Sequence, residues 1–229
     1  MPAATETPST LRDIIARRLS GFGPLGTLVF VAICAVSALF APGAALLVLL
    51  WTWASRTPWR EIGLVRPGSW LNGLLIGIAL GLAEKLLLKA VILPLLGAPP
   101  VNAMIGDLSA NPKRALFLIF YVMIGAAFCE ELVFRGFLFQ RLGRLFGDGA
   151  PARIAIVLLS TAFFASLHFQ QGPSGIENAA IGGAITGAVY VMNHRRLWTV
   201  IVAHATFDLS AIALNYYHLE AALAHSVFK

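Results

Sequence analysis

Apolar residues run through this chain in long blocks, separated by short breaks of charge, glycine and proline. Leu11, Ile14, Ile15 and Leu19 recur at helical spacing within an otherwise polar first twenty residues, which predicts a short amphipathic helix lying on a membrane surface. From Ser20 to Ser55 no charged residue occurs. Pro42-Gly43 falls near the middle of that stretch, and such a pair ends helices, so two spans are expected, about 22–40 and 43–55. A basic turn with tryptophans follows (Arg56, Trp59, Arg60, Arg66), and a third span runs from Trp70 to about Leu96. Gly73, Gly77 and Gly81 put three small residues on one face of it, where another helix can approach closely.

Residues 97–114 read as a Gly/Pro/Asn loop. The fourth span starts near Ala115 and runs past Arg135 toward Leu142, and the fifth extends from about Arg153 to Phe169. A turn over Gln170 to Gly175 leads to the sixth, about 177–192, with Gly183 and Gly187 as a second close-packing pair. The seventh begins near Trp198 and ends around Tyr217. The fold class expected is therefore all-α, a polytopic transmembrane helix bundle of about seven or eight spans. Residues 1–20 form a cytoplasmic amphipathic segment and residues 21–229 one transmembrane domain.

Composition narrows this further. The chain has 229 residues, 58% apolar without counting its 21 glycines, and only 12% charged. A soluble domain carries about twice that share of charge, so a soluble enzyme and a disordered chain are both excluded. The net charge of +6 reads as membrane orientation rather than as nucleic-acid binding. When seven spans alternate from a cytoplasmic N-terminus, only Lys113, Arg114 and Lys229 fall outside, while Lys85 and Lys89 lie within a span. The other twelve of the seventeen Lys and Arg are then inside. That bias predicts a multi-pass protein of the cell's inner (plasma) membrane. Two cysteines, Cys34 and Cys129, lie in apolar stretches and offer neither a disulfide framework nor a metal spacing.

Ionisable side chains inside lipid cost at least about 2.5–3.5 kcal/mol each, so each one needs a reason. Glu131 and Arg135 are four apart and share a helix face, which suits a buried ion pair. Glu130 is rotated about 100° away from that face and needs another partner. His168 follows Phe164 by four, and His204 precedes Asp208 by four. A carboxylate beside a histidine is a common means of fixing the ring.

Depth groups these residues. Glu130 is fourteen residues from Arg144 and His168 fifteen from Arg153, whereas His204 and Asp208 are eight and twelve from Arg196. At about 1.5 Å per residue all four fall within a turn or two of one level. They are expected to define one polar cavity inside the bilayer, opening inward. Glu84 and Lys85 stand outside this grouping, with pairing across helices as the simplest expectation and Lys89 snorkelling outward.

Two carboxylates and two imidazoles in a wet pocket can hydrolyse a peptide bond. Glu130 can take a proton from water, His168 can help hold that water, and His204 can stabilise the oxyanion. A divalent metal such as zinc, held by Glu130, His168 and His204, is equally compatible with these residue types, although no HExxH pair occurs.

The ordered trio Glu130-Glu131 with Arg135, Phe164 with His168, and His204 with Asp208 resembles the CAAX-processing and bacteriocin-processing intramembrane endopeptidases. That family shows Glu-Glu-x-x-x-Arg, Phe-x-x-x-His and His-x-x-x-Asn (or Asp) in this order. The stretch Arg60 to Trp70, with Gly63-Leu64 and Arg66-Pro67, also looks like the loop before that family's core, so the resemblance covers about residues 56–217. It implies that Glu130 and His168 activate the attacking water, that His204 and Asp208 line an oxyanion site, and that Glu131, Arg135 and Phe164 support them. It implies a peptide or protein substrate, with prenylated C-termini among the family's substrates, and membrane lipid as the surroundings. Both metal-dependent and metal-free glutamate mechanisms have been argued for the family. Asp208 departs from the commoner asparagine, and an ionised carboxylate cannot donate to an oxyanion. It must then be protonated, orient His204 or bind a metal. Two other functions compete: a catalytically silent scaffold or immunity protein of the same fold, and a proton-coupled transporter.

Overall fold

The computed structural model describes residues 10–102 and 104–228, and among them every regular element is helical. The amphipathic helix α1 (Leu11–Ser20) begins with a reciprocal cap: Asp13 N–H donates to Thr10 Oγ1 at 3.2 Å, and Thr10 N–H to the Asp13 carboxylate at 2.9 Å. The remainder of the segment expected over 1–20 lies outside the described residues. Trp51 Nε1 donates to Leu19 O at 3.0 Å and Arg141 donates to Ser20 O and Gly21 O, so the end of α1 is tied to the bundle.

The uncharged block divides as its proline demands. Helix α2 (Pro24–Leu39) ends at Phe40, whose backbone is extended, and α3 (Ala41–Ala54) restarts with Pro42 in its first turn, where a missing N–H costs nothing. A 3₁₀ turn (Trp59–Ile62) follows and closes on Gly63 at φ 79°, a left-handed conformation that suits glycine. Gly63 O accepts from Leu197 N at 3.1 Å. A Cβ on Gly63 would also lie 2.6 Å from Tyr190 Oη, so the turn is built into the core.

Helix α4 (Trp70–Leu87) runs on through a π-helical turn (Leu88–Ile92) and a last α-helical turn (Leu93–Leu95). Helix α5 (Pro112–Phe146) is the longest. It is π-helical over Tyr121–Phe128 and again over Leu132–Phe137, with Cys129–Glu131 α-helical between them. Then come α6 (Ala150–Ser166), α7 (Gly172–Met192), α8 (Leu197–Tyr216) and the short α9 (Glu220–Ala224).

Glycine stripes mark close helix contacts, as the spacing predicts. Cβ atoms added at Gly73, Gly77 and Gly81 would meet Trp198, Val202 and Ala203 O at 2.4, 2.6 and 2.3 Å. Both series rise together, so α4 and α8 pack in parallel, as the third and seventh spans expected from the sequence would in an alternating bundle. On α7, Gly183 meets Thr161 and Phe164 while Gly187 meets Val157. There the series run oppositely, and α6 and α7 double back on each other.

The buried core gathers on α5, where Leu132, Phe134, Phe137 and Phe139 are almost fully enclosed. Trp51 meets Phe137 edge-on at 4.9 Å, and Tyr190 meets Phe139 at 5.3 Å. At the end of the bundle where α5 finishes, Glu61 accepts from Gln140 and Arg144 at 3.1 and 2.9 Å. Asp148 there pairs with both Arg153 and Arg195, and Arg153 holds its carboxyl below the usual range. Two helices, α5 and α8, are long and apolar enough to cross a membrane, or four units if each of the bent pairs α1–α2 and α6–α7 is one span. Seven or eight spans are not reached by length and apolarity alone. Helix α3 has only 14 residues, and α4 with its extension carries Glu84, Lys85 and Lys89.

Candidate active site

Helix α5 delivers the glutamate pair between its two π-helical stretches, where wide turns change the angular spacing of side chains; such segments recur at functional sites. Glu131 turns into the core with a fully buried side chain, and Arg135, 2% exposed, donates to its Oε1 at 3.0 Å. The guanidinium also donates to Gly183 O at 3.1 Å and to Thr186 Oγ1, and it lies 4.9 Å from the centre of the Phe164 ring. The expected ion pair is present and bound to α7 as well.

The same Glu131 oxygen lies 2.8 Å from His204 Nδ1. A carboxylate only accepts, so that ring nitrogen is the donor and Nε2 is turned the other way. Nε2 lies 3.5 Å from Asp208 Oδ2 and 3.9 Å from Glu130 Oε2. The second separation is too long for a direct hydrogen bond, yet one water at about 2.8 Å from each would touch both. His204 is thus the centre of the group, with three carboxylates around one imidazole.

His168 arrives differently from the expectation of a histidine within the fifth span. Helix α6 ends at Ser166, and His168 sits in the turn beyond it (φ −90°, ψ 11°). The cause is local. Ser166 Oγ donates to Phe163 O at 2.7 Å and His168 Nδ1 bonds Phe164 O at 2.9 Å, so side chains cap carbonyls the ended helix leaves open. Nδ1 being the donor, Nε2 is left with its lone pair. The His168 ring stands 4.6 Å from the Phe164 ring and Phe164 stands 6.3 Å from the His204 ring, both edge-on. Phe164 therefore spaces the two imidazoles and backs the arginine.

All seven of these residues line one cavity of about 430 Å³. Its extent corrects one expectation. It reaches Asn102, Ile105 and Arg114, at the end where α5 begins, and not Arg141, Arg144 or Arg195 at the other end. The cavity therefore extends away from the arginine-flanked end toward which it was expected to open. Counting residues from the arginine flanks gave a common level but no direction, and on that side Phe134, Phe139 and the bonds of Arg135 close the bundle.

Two further groups in the wall were not assigned to the site from sequence. Glu84 is 6% exposed and Lys85 half-buried, and both line the cavity. The signal was available: 73, 77, 81 and 85 are an unbroken series at intervals of four, so the face that packs on α8 carries Lys85 onward. Gly182 is part of the same arrangement, since a Cβ there would lie 2.5 Å from Glu84 Oε1. Lys89 is paired: its ammonium lies 3.6 Å from Glu220, beyond the end of α8.

The residue types would suit zinc, but the arrangement does not. Among the described residues no three His, Cys, Asp or Glu side chains are grouped to hold one metal ion. Glu131 and Phe164 O hold the Nδ1 atoms of both imidazoles, which leaves each Nε2 as the one ring nitrogen open to a ligand.

No curated protein and no solved structure matches this chain. A family model, Type II CAAX prenyl endopeptidase Rce1-like, matches residues 112–210. That segment runs from the first turn of α5 into α8 and contains the glutamate pair, Arg135, Phe164, both histidines and Asp208. Over residues 112–210, then, the chain is similar to the Rce1-like type II CAAX prenyl endopeptidases.

Proposed function

We propose that the protein is an intramembrane endopeptidase that hydrolyses a peptide bond of a membrane-associated substrate with water activated by Glu130 and His168. The observation that carries this reading is the disposition of His204, tied at Nδ1 to buried Glu131 and directed at Nε2 toward Glu130 and Asp208 within a cavity. A purely structural knot would need only Glu131 and Arg135. It would leave no reason to turn a second carboxylate and the far side of the ring into open space.

In this reading Glu130 accepts a proton from water as the water oxygen bonds to the carbonyl carbon, and His168 Nε2 helps to hold that water. The carbonyl π pair moves onto oxygen. When Nε2 of His204 carries its own proton, it donates to that oxyanion, a contribution worth about 10²–10³ in rate for a single donor. Collapse breaks the C–N bond, and Glu130 returns the proton to the departing amine. Asp208, 3.5 Å from Nε2, orients His204 rather than donating itself. No step is routed through a metal.

The substrate is a peptide or protein segment reaching the cavity from the lipid or from the Asn102–Arg114 end. The chain spans the membrane seven or eight times as one domain over residues 21–229, with the N-terminus in the cytoplasm of a cell whose inner membrane it occupies. The site then lies away from the arginine-rich face. Purified protein incubated with quenched fluorescent peptides, beside His168→Ala and His204→Ala, tests the assignment. Cleavage by the parent alone supports it, and equal cleavage by all three refutes it.

A further inference from the structure

Two cations of this cavity have no carboxylate within ion-pair distance among the described residues: Arg114 at its far end, and Lys85 beside the reacting centre. Its ammonium lies 3.4 Å from the centre of the Phe207 ring, a contact that holds a charge without using its N–H donors. Among the described residues it has no hydrogen bond, and no carboxylate lies within ion-pair distance. Two of the neighbouring acids, Asp208 and Glu220, face other partners, and Glu84 is turned toward another helix. Asp208 faces His204 at 3.5 Å. Glu84 lies against Gly182 on α7. Glu220 is taken by Lys89 and by the N–H groups of Asn102 and Asn215, at 3.6, 3.3 and 3.4 Å.

Lysine amines in hydrocarbon normally find a carboxylate or reach the interface, and Lys89, one turn on, does the first. Lys85 instead lines the cavity beside Phe207 and Asp208, one residue from the group that faces His204. Three N–H donors are thereby offered to whatever enters, next to the reacting centre, and the cavity continues past them toward Asn102 and Arg114.

We propose that Lys85 is a substrate-binding residue that receives a carboxylate close to the scissile bond. The carboxylate is either the α-carboxylate at the end of the peptide or an acidic side chain within it. This rests on the endopeptidase reading for its context but not for its measurement. Phe207 holds the ammonium in place, and Gly81 and Gly77 let α4 come near enough to α8 for it to reach that ring.

Binding can be read without turnover in Glu130→Gln protein purified in detergent. Three fluorescent apolar peptides serve as probes: one with a free C-terminal carboxylate, the same peptide amidated, and the amidated peptide with one internal aspartate. The free acid should bind at least about tenfold more tightly than the amide, the scale of one charge-assisted hydrogen bond. Adding Lys85→Gln should remove that difference and leave amide binding unchanged, whereas Lys85→Arg should keep it, with thermal unfolding confirming that each variant is folded. Tight binding restored by the internal aspartate identifies a side-chain carboxylate as the source; its absence identifies the C-terminus. Equal binding of all three peptides, no binding of any, or an acid preference that survives Lys85→Gln overturns the proposal. Failure of parent protein to cleave, with the acid preference intact, overturns the endopeptidase reading and leaves this one standing.

Discussion

Glu131 holds His204 with the same oxygen that receives Arg135: Oε1 is 2.8 Å from Nδ1 of the histidine and 3.0 Å from the guanidinium. One buried carboxylate thus fixes the ring of α8 and the arginine of α5, and through Arg135 it reaches Gly183 O and Thr186 on α7. Removing one member of such a group leaves the others buried and uncompensated. Arg135→Met is expected to cost about 3–5 kcal/mol of stability, measured by thermal or denaturant unfolding in detergent. The double variant Glu131→Leu with Arg135→Met should recover part of that loss without recovering peptide cleavage. Additive losses would show that the two side chains do not act as a pair.

The parallel seam between α4 and α8 has no room for a methyl group at Gly81, where a Cβ would lie 2.3 Å from Ala203 O and 2.8 Å from Thr206 Cβ. Gly81→Ala should destabilise by about 1–3 kcal/mol, the usual range for overpacking. Gly68→Ala, which meets only the flexible end of Arg196 at 3.3 Å, should be close to neutral. Matching unfolding temperatures for the two variants would mean that the helices do not meet as described.

Orientation is open to labelling. Single cysteines placed at 12 and 105 in a chain without its own cysteines should report opposite faces of the membrane. A membrane-impermeant thiol reagent added to intact cells is expected to modify position 105 and not position 12. Labelling of position 12 would invert the orientation and put the cavity's Asn102–Arg114 end in the cytoplasm.

The donor arrangement bears on metal dependence. With no three-donor group among the described residues, cleavage should survive exhaustive dialysis against a chelator. Loss of activity that returns on adding zinc would require His168, His204 and Glu130 to regroup.

Much of this was legible in the chain. Spacings of four placed Glu131 on Arg135 and His204 beside Asp208, and the glycine stripes marked the faces where other helices come close, because both depend only on helix geometry. The end of α6 was not legible. No glycine or proline marks Ser166; capping by Ser166 and His168 ends the helix there. Glu84 and Lys85 went unassigned although Lys85 continues the 73–77–81 series, since a helix face identifies its neighbour but not the space beside it. The direction of the cavity depended on which side Phe134, Phe139 and Arg135 close, and only packing in three dimensions decides that.

The central claim is that Glu130 activates water for peptide hydrolysis, and Glu130→Gln tests it most directly by keeping the shape of the side chain while removing its capacity as a base. Single-turnover cleavage of a quenched fluorescent peptide by the folded variant should fall by about 10²-fold or more relative to the parent, the lower bound for loss of a general base. Cleavage at the parental rate would contradict the account.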